Sequence, residues 1–298
     1  MQRRSRFALI GLLLALISGF QGSAEPRVST GFSSTFVWRM DDPAFGGFSG
    51  LEVLDNGRHF VALSDKATFL RGRFLRDASG KMTAVRGKII RPLIGAKAGQ
   101  VLSGKRADSE GLAIDGDGNG FISFEGRTRI ARFDPQTGIV ADMAKYEAFA
   151  RLPKNGGLEA LAVGPGPIIY ALPEQPPTRD IPVYRWQAGH WDDRLSLPRR
   201  GQFVPVGADI GPDGRLYLLE RDFRGIGGFA SRLRRFDLSD ARLEGERILF
   251  ETPFAHFDNL EGLSVWRDDR GVLYATMISD DNFFFLQKTQ IVEFRLPD

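Results

Sequence analysis

The chain repeats one short pattern five times: a small or acidic residue, a Gly-containing apolar run, a turn, a second apolar run and a closing carboxylate. The copies run from Ser49-Gly50-Leu51 to Asp65, Glu110-Gly111-Leu112 to Glu125, Glu159-Ala160-Leu161 to Glu174, Val206-Gly207-Ala208 to Glu220, and Glu261-Gly262-Leu263 to Asp280. A unit this short cannot bury its own apolar face, so its copies must stack or close into a ring. Gly-bearing turns separate the apolar halves, and helical periodicity is nearly absent, so the expected unit is a β-hairpin. The two acids of a copy then face each other at its open end, where opposed Cβ atoms lie roughly 4.5–5.5 Å apart.

Further strand-like runs follow each hairpin: Phe69 to Leu75 and Val85 to Leu93, Arg129 to Phe133 and Met143 to Leu152, Val183 to Trp186 and Leu195 to Val204, then Arg232 to Leu238 and Leu243 to Phe250. Four short strands per unit predict an all-β chain forming a β-propeller of five blades. A degenerate blade hidden between Arg71 and Ala107 would make six. The fifth unit has only Thr289 to Leu296 after its hairpin, and Gly31 to Met40 is left over at the other end. The N-terminal run is therefore expected to supply the missing outer strand, closing the ring and removing an exposed sheet edge.

Arg3, Arg4 and Arg6 precede an apolar run from Phe7 to Phe20, and Gly22-Ser23-Ala24 follows. This order reads as a secretory signal peptide over residues 1–24, cut near Ala24, with residues 25–298 as a single domain in the periplasm or outside the cell. The apolar run is too short to span a bilayer, so no stable membrane insertion is expected after cleavage. The leader carries three arginines and no acid, so the formal charge falls from +3 to neutral once it is removed. A neutral chain lacks the basic field of a nucleic-acid binder; the expected partner is a small molecule and the expected state a monomer. The absence of cysteine excludes thiolate catalysis, thiolate metal sites and disulfides. None of His59, His190 and His256 has a paired metal-ligand spacing.

The chemistry must come from carboxylates. Asp65, Glu110, Glu125, Glu159, Glu174, Glu220, Glu261 and Asp280 would collect at one mouth of the ring. Two negative charges about 5 Å apart repel by roughly 3 kcal/mol at an effective dielectric near 20. Raised pKa values, arginine partners or a bound divalent cation relieve that repulsion. Oxygen-only ligands favour calcium, with magnesium or manganese as alternatives. Against the metal stands pairing of the acids with Arg127, Arg179, Arg221 or Arg224, or with backbone of a neighbouring blade. Glu110, Glu159 and Glu261 recur in register and lead as catalytic candidates, while Ser49 and Val206 break the ring.

Asp115-Gly116-Asp117-Gly118-Asn119-Gly120 imitates the start of a helix-flanked calcium loop, but position twelve is Gly126 and the flanks are strands, so it reads as a polar turn. No G-x-S-x-G elbow, P-loop or dinucleotide fingerprint occurs. Phe283-Phe284-Phe285 reads as blade packing.

Asp108-Ser109-Glu110-Gly111-Leu112, Asp258-Asn259-Leu260-Glu261-Gly262-Leu263 and Ser279-Asp280-Asp281-Asn282-Phe283 resemble the exported bacterial phytase-like family, described as "esterase-like activity of phytase". The resemblance runs from about Phe48 to Pro297. It implies a repeated domain whose recurring acids hydrolyse phosphoesters, and it marks Glu110, Glu159, Glu261, Asp280, Asp281 and Asn282, with Asn155 and Asn259 as added oxygen donors. The resulting expectation is a divalent-cation-dependent phosphoester hydrolase with metal ligands among Glu110, Glu125, Glu159, Glu174, Glu261, Asp280, Asp281 and Asn282, and with Arg127 or Arg221 holding the phosphate. A non-enzymatic binding module with a structural metal, and a metal-dependent lactonase or sugar-ester hydrolase, are the alternatives.

Overall fold

Each copy of the repeat folds as an antiparallel hairpin: Phe48–Leu54 with His59–Ser64, Ser109–Ile114 with Gly120–Phe124, Leu158–Gly164 with Ile168–Pro173, Val204–Ile210 with Leu216–Phe223, and Asn259–Arg267 with Leu273–Asp280. The computed structural model describes residues 31–87, 90–166, 168–239 and 242–297; the expected leader, residues 1–24, lies outside them. Outer strands extend each hairpin into a blade. Thr68–Arg76 and Met82–Gly87 complete the first, Arg129–Phe133 and Ile139–Asp142 the second, Ile181–Gln187 and His190–Leu197 the third, and Phe229–Leu238 and Leu243–Glu251 the fourth. In the fifth, Gln290–Arg295 is followed by Phe32–Val37, paired antiparallel. The N-terminal strand thus closes a five-bladed β-propeller.

Among the described residues, no sixth blade forms between Arg71 and Ala107. That stretch gives the outer strand of the first blade, then Ile94–Gly95, which pairs in parallel with Ile139–Asp142 on the rim of the second. Two outer strands also differ from expectation. Residues 143–152 hold a 3₁₀ turn, Glu147–Arg151, because Phe149 and Leu152 are both buried at the three-residue spacing of such a turn. The third blade's outer strand ends at Leu197, before Pro198, whose missing N–H ends the ladder.

The apolar residues make five cores, each between neighbouring blades. Leu112 packs toward the first blade, Leu161 toward the second, Ala208 toward the third, Leu263 toward the fourth and Leu51 toward the fifth. Each fully buried large side chain contributes roughly 1.5–3 kcal/mol. The five innermost strands touch in ring order around the axis. Their spacing explains the recurring glycine: a Cβ at Gly111 would lie 2.5 Å from the carbonyl oxygen of Glu159 on the next strand. Gly111→Ala is therefore expected to destabilise the ring by about 1–3 kcal/mol, read as a lower urea midpoint with unchanged slope. An unchanged midpoint would mean the strands are not held this close.

At the hairpin-turn end of the axis, Glu52 and Asp209 are buried between inner strands. Glu52 accepts hydrogen bonds from Ile114 N (3.1 Å) and Ser264 Oγ (3.2 Å), and Asp209 from Val265 N (2.6 Å). Each acid ties its own blade to a neighbour. Burial pushes the Asp209 carboxyl up to about 7, and burial followed by the Asp209 charge raises Glu52. An acid with a raised native pKa stabilises fully below its unfolded value, and that stability is lost as pH rises through the native one. The melting temperature should accordingly fall between pH 5 and 8. In Asp209→Asn, which still accepts the Val265 bond, that fall should be smaller; an identical pH profile in the variant would refute the assignment.

Candidate functional site

Every innermost strand bulges where it enters its blade. Phe48 pairs with Ser64 and Gly50 with Leu63, leaving Ser49 unopposed; Glu159, Val206 and Glu261 are left out of the ladder in the same way. In the second blade the register slips across Glu110 and Gly111. A bulge bends the strand and re-aims a side chain; at these places Glu110, Glu159 and Glu261 are brought close enough to perturb one another, while Ser49 Oγ donates to Ser109 O (3.0 Å) and Val206 packs in the core between the fourth and fifth blades.

The bulge also cancels the expected facing of acids across each hairpin. The closing residue lies opposite the position two before the bulge: Asp65 N donates to Gly47 O, Glu125 N to Asp108 O and Glu174 N to Gly157 O, while Asp280 pairs with Asn259. In the fourth blade the residue in this register is Arg221, opposite Val204. Glu220, expected there, is one place out. It is fully buried within its blade and held by Arg232 Nε (2.7 Å) and Arg234 Nη2 (2.6 Å). The mouth is thus built from two sets of residues, Ser49, Glu110, Glu159, Val206 and Glu261, and Asp65, Glu125, Glu174, Arg221 and Asp280.

Their mutual perturbation shows that these groups converge. Burial raises Glu110, and Glu159, Glu261, Glu125 and Asp108 raise it further. Burial likewise raises Glu159, with Glu261, Glu174 and Glu125 adding to the shift against Arg221. Asp280 is pushed up to about 8 by burial and by Glu261, and Asp65 to about 6 by burial, with Glu261 and Asp108 opposing the lowering effects of Lys66 and Ser64.

Arg221 divides the mouth into two unlike halves. Its guanidinium donates to Glu174 Oε1 (2.6 Å), Asn259 Oδ1 (2.6 Å) and Glu261 Oε1, and Asn259 Nδ2 also donates to Glu261 (2.7 Å). Burial alone would lower the Arg221 pKa, yet the surrounding Glu261, Glu174 and Glu159 hold it above the ordinary arginine value. Across the mouth, carboxylate oxygens of Asp108, Glu110 and Glu125 lie within 4.8 Å of one another. Glu125 Oε1 accepts from the amides of Gly156 and of Gly157 (2.9 Å). The carboxylates of Asp108, Glu110 and Glu159 receive no hydrogen bond among the described residues.

The Asp108, Glu110 and Glu125 trio suits a hard divalent cation. Oxygens bound to one ion at about 2.4 Å stand at most about 4.8 Å apart. Asp108, which occupies the position opposite the closing acid, was not among the expected ligands; its register two residues before Glu110, matching Asn259 before Glu261, was the available signal.

Other expected residues sit apart. Asp281 uses both oxygens within the protein, Oδ1 accepting from Gly47 N (2.9 Å) and Oδ2 from Thr289 Oγ1 (2.9 Å), so it fastens the fifth blade to the entrance of the first. Asn282 is exposed and lines a cavity of about 650 Å³ with Glu174, Arg221, Arg224 and Asn259. Arg127 is exposed on a separate cavity beside Glu125. The Asp115 loop is closed on itself, Asp115 Oδ1 accepting from Asp117 N (3.0 Å) and Asn119 N (2.8 Å). Phe283, Phe284 and Phe285 do not pack within a blade; they stand on an exposed loop, Phe285 being 85% accessible, because they follow the last residue of the strand Leu273–Asp280.

The chain is a five-bladed propeller with an acid-lined mouth. It belongs to the phytase-like family: residues 43–283 match the family model described as "Esterase-like activity of phytase". No curated protein matches it in sequence. Among solved structures it is similar to the α-L-arabinofuranosidase PaAbf62A from Podospora anserina in complex with cellotriose, at 12% identity and TM-score 0.53 over 90% of this chain and 98% of that one. It is also similar to the catalytic domain of the Coprinopsis cinerea GH62 α-L-arabinofuranosidase, at 13% identity and TM-score 0.52 over 89% and 97%. Virginiamycin B lyase from Staphylococcus aureus matches at 16% identity and TM-score 0.43 over 89% and 75%. At these identities the likeness is one of fold.

Removing Arg221 leaves Glu174 and Glu261 buried without their countercharge. Arg221→Met should lower stability by about 3–5 kcal/mol, with part of the loss recovered at acid pH where those glutamates protonate. A variant as stable as the parent at pH 8 would show that the guanidinium does not hold the two blades' acids together.

Proposed function

We propose that the protein is exported and hydrolyses phosphoesters with a divalent cation, calcium by preference, at the mouth of the propeller. The observation that carries this reading is the convergence of Asp108, Glu110 and Glu125 opposite a fixed guanidinium. The trio would hold the cation, which supplies charge to polarise a phosphoryl oxygen and to acidify water. Arg221 stands across the mouth as the donor able to orient a phosphate by paired N–H bonds. Glu159, beside Glu110 and without a hydrogen-bond donor, is the base: water's oxygen forms the new bond to phosphorus, its proton passes to the Glu159 carboxylate, and the bond to the ester oxygen breaks. The arginine-rich leader supports export, and the family membership supports hydrolysis.

A structural role for the cation has one observation in its favour, since Glu125 already links the second blade to Gly156 and Gly157 of the third. Turnover separates the two. With p-nitrophenyl phosphate and bis(p-nitrophenyl) phosphate as substrates, chelator should reduce the rate at least a hundredfold, and calcium, magnesium or manganese should restore it to different extents. Glu159→Gln should lose turnover while keeping its melting temperature and its calcium. Absence of turnover with every metal, or turnover indifferent to chelator, sinks the hydrolytic reading; turnover of p-nitrophenyl acetate or a lactone alone would transfer it to carboxylic esters.

A further inference from the structure

Between the second and third blades, directly beside Glu125, lies a cavity of about 350 Å³, within the size range of small-ligand pockets. Its inner wall is apolar and aromatic, made by Ile130, Tyr146, Phe149 and Leu152. That wall is rigid. Tyr146 meets Phe149 edge-on at 5.5 Å and lies against Trp191 at 6.4 Å, and Trp191 Nε1 is fixed by the carbonyl of Ala144 (3.0 Å). A preset aromatic face offers a flat apolar group a large contact at little entropic cost.

The charges around this wall are mostly positive: of the two acids that line it, Asp142 is paired with Arg129 and Glu125 accepts from the amides of Gly156 and Gly157. Arg127, Lys145 and Lys154 line the cavity, and their side chains form no ion pair or hydrogen bond among the described residues. By contrast Arg129 in the same wall is paired with Asp142 at 2.9 Å. Three cations without an ion-pair partner outnumber the one unpaired acid, Glu125, and a net positive rim around an aromatic floor selects an anion with an apolar body, because the body removes apolar surface from water while the charge meets its countercharges at the rim.

We infer that this cavity is a binding site for aromatic organic anions and that it receives the leaving-group side of the substrate. The second half rests on the hydrolytic reading above. Glu125 belongs to both places, with one oxygen in the metal-binding trio and its side chain in the cavity wall. An ester held at the mouth therefore has its alcohol portion beside the aromatic wall, and the site favours ring-bearing alcohols that carry a further negative charge.

Calorimetric titration of the chelator-treated protein tests the cavity without turnover. 1-Naphthyl phosphate and naphthalene-1-sulfonate, the latter having no ester to hydrolyse, should each bind at one saturable site and compete with each other. Uncharged 1-naphthyl β-glucoside should bind at least tenfold more weakly. Lys145→Glu/Lys154→Glu should weaken both anions at least tenfold, and the neutral Lys145→Gln/Lys154→Gln pair, carrying less risk to folding, should weaken them to a smaller extent. No saturable binding of either anion, binding of the phosphate alone, or folded variants with parental affinity would overturn the assignment. If both anions bind as expected but no metal restores turnover, the cavity stands and the hydrolytic reading falls.

Discussion

The close approach of the five innermost strands is the constraint on which the rest of the molecule depends. At the axis, neighbouring backbones run so near that the residue after each bulge must be small; Gly50, Gly111, Ala160, Gly207 and Gly262 fill that place. The bulge takes the preceding residue out of the ladder; Glu110 and Glu159 are half-buried there, and Glu261 is buried against Arg221. Acid, glycine and leucine thus occupy consecutive places for three different reasons: access to the mouth, backbone clearance, and burial against the preceding blade.

Having gathered acids for steric reasons, the ring must deal with their charge. A uniform ring of glutamates would repel itself in a partly desolvated mouth. The fourth blade supplies the relief, placing Val206 where the second, third and fifth blades have Glu and Arg221 where the other four have Asp or Glu. Arg221 pairs with the half made by Glu174 and Glu261, and the half made by Asp108, Glu110 and Glu125 has no arginine partner among the described residues. The irregular blade creates the asymmetry that a directional site requires.

The blade number, the closing N-terminal strand and the identity of most mouth acids were legible in the sequence because they follow from period and alternation. What was hidden depends on register. Symmetry about each turn suggests that Glu110 faces Glu125, but a one-residue bulge cannot be seen in the pattern and moves Glu125 opposite Asp108. The same slip makes Glu220 look like the fourth closing acid. Spacing held the correction, since Arg221 stands as far from Val206 as Glu125 does from Glu110 and Glu174 from Glu159. Phe283 to Phe285 misled for a different reason, since apolarity marks burial only where a strand continues to carry it inward.

The axis also carries acids at its other end, and their different surroundings separate structure from chemistry. Glu52 and Asp209 are as buried as the mouth acids and have similarly raised pKa values, so neither burial nor titration distinguishes the two groups. Hydrogen bonding does. Amides of neighbouring strands and Ser264 donate to Glu52 and Asp209, which offsets part of their desolvation through contacts between blades. Glu110, Glu159 and Asp108 receive no such bonds among the described residues. A carboxylate held in a partly buried place without donors is costly to keep, and a bound cation or a transferred proton is the compensation its geometry allows.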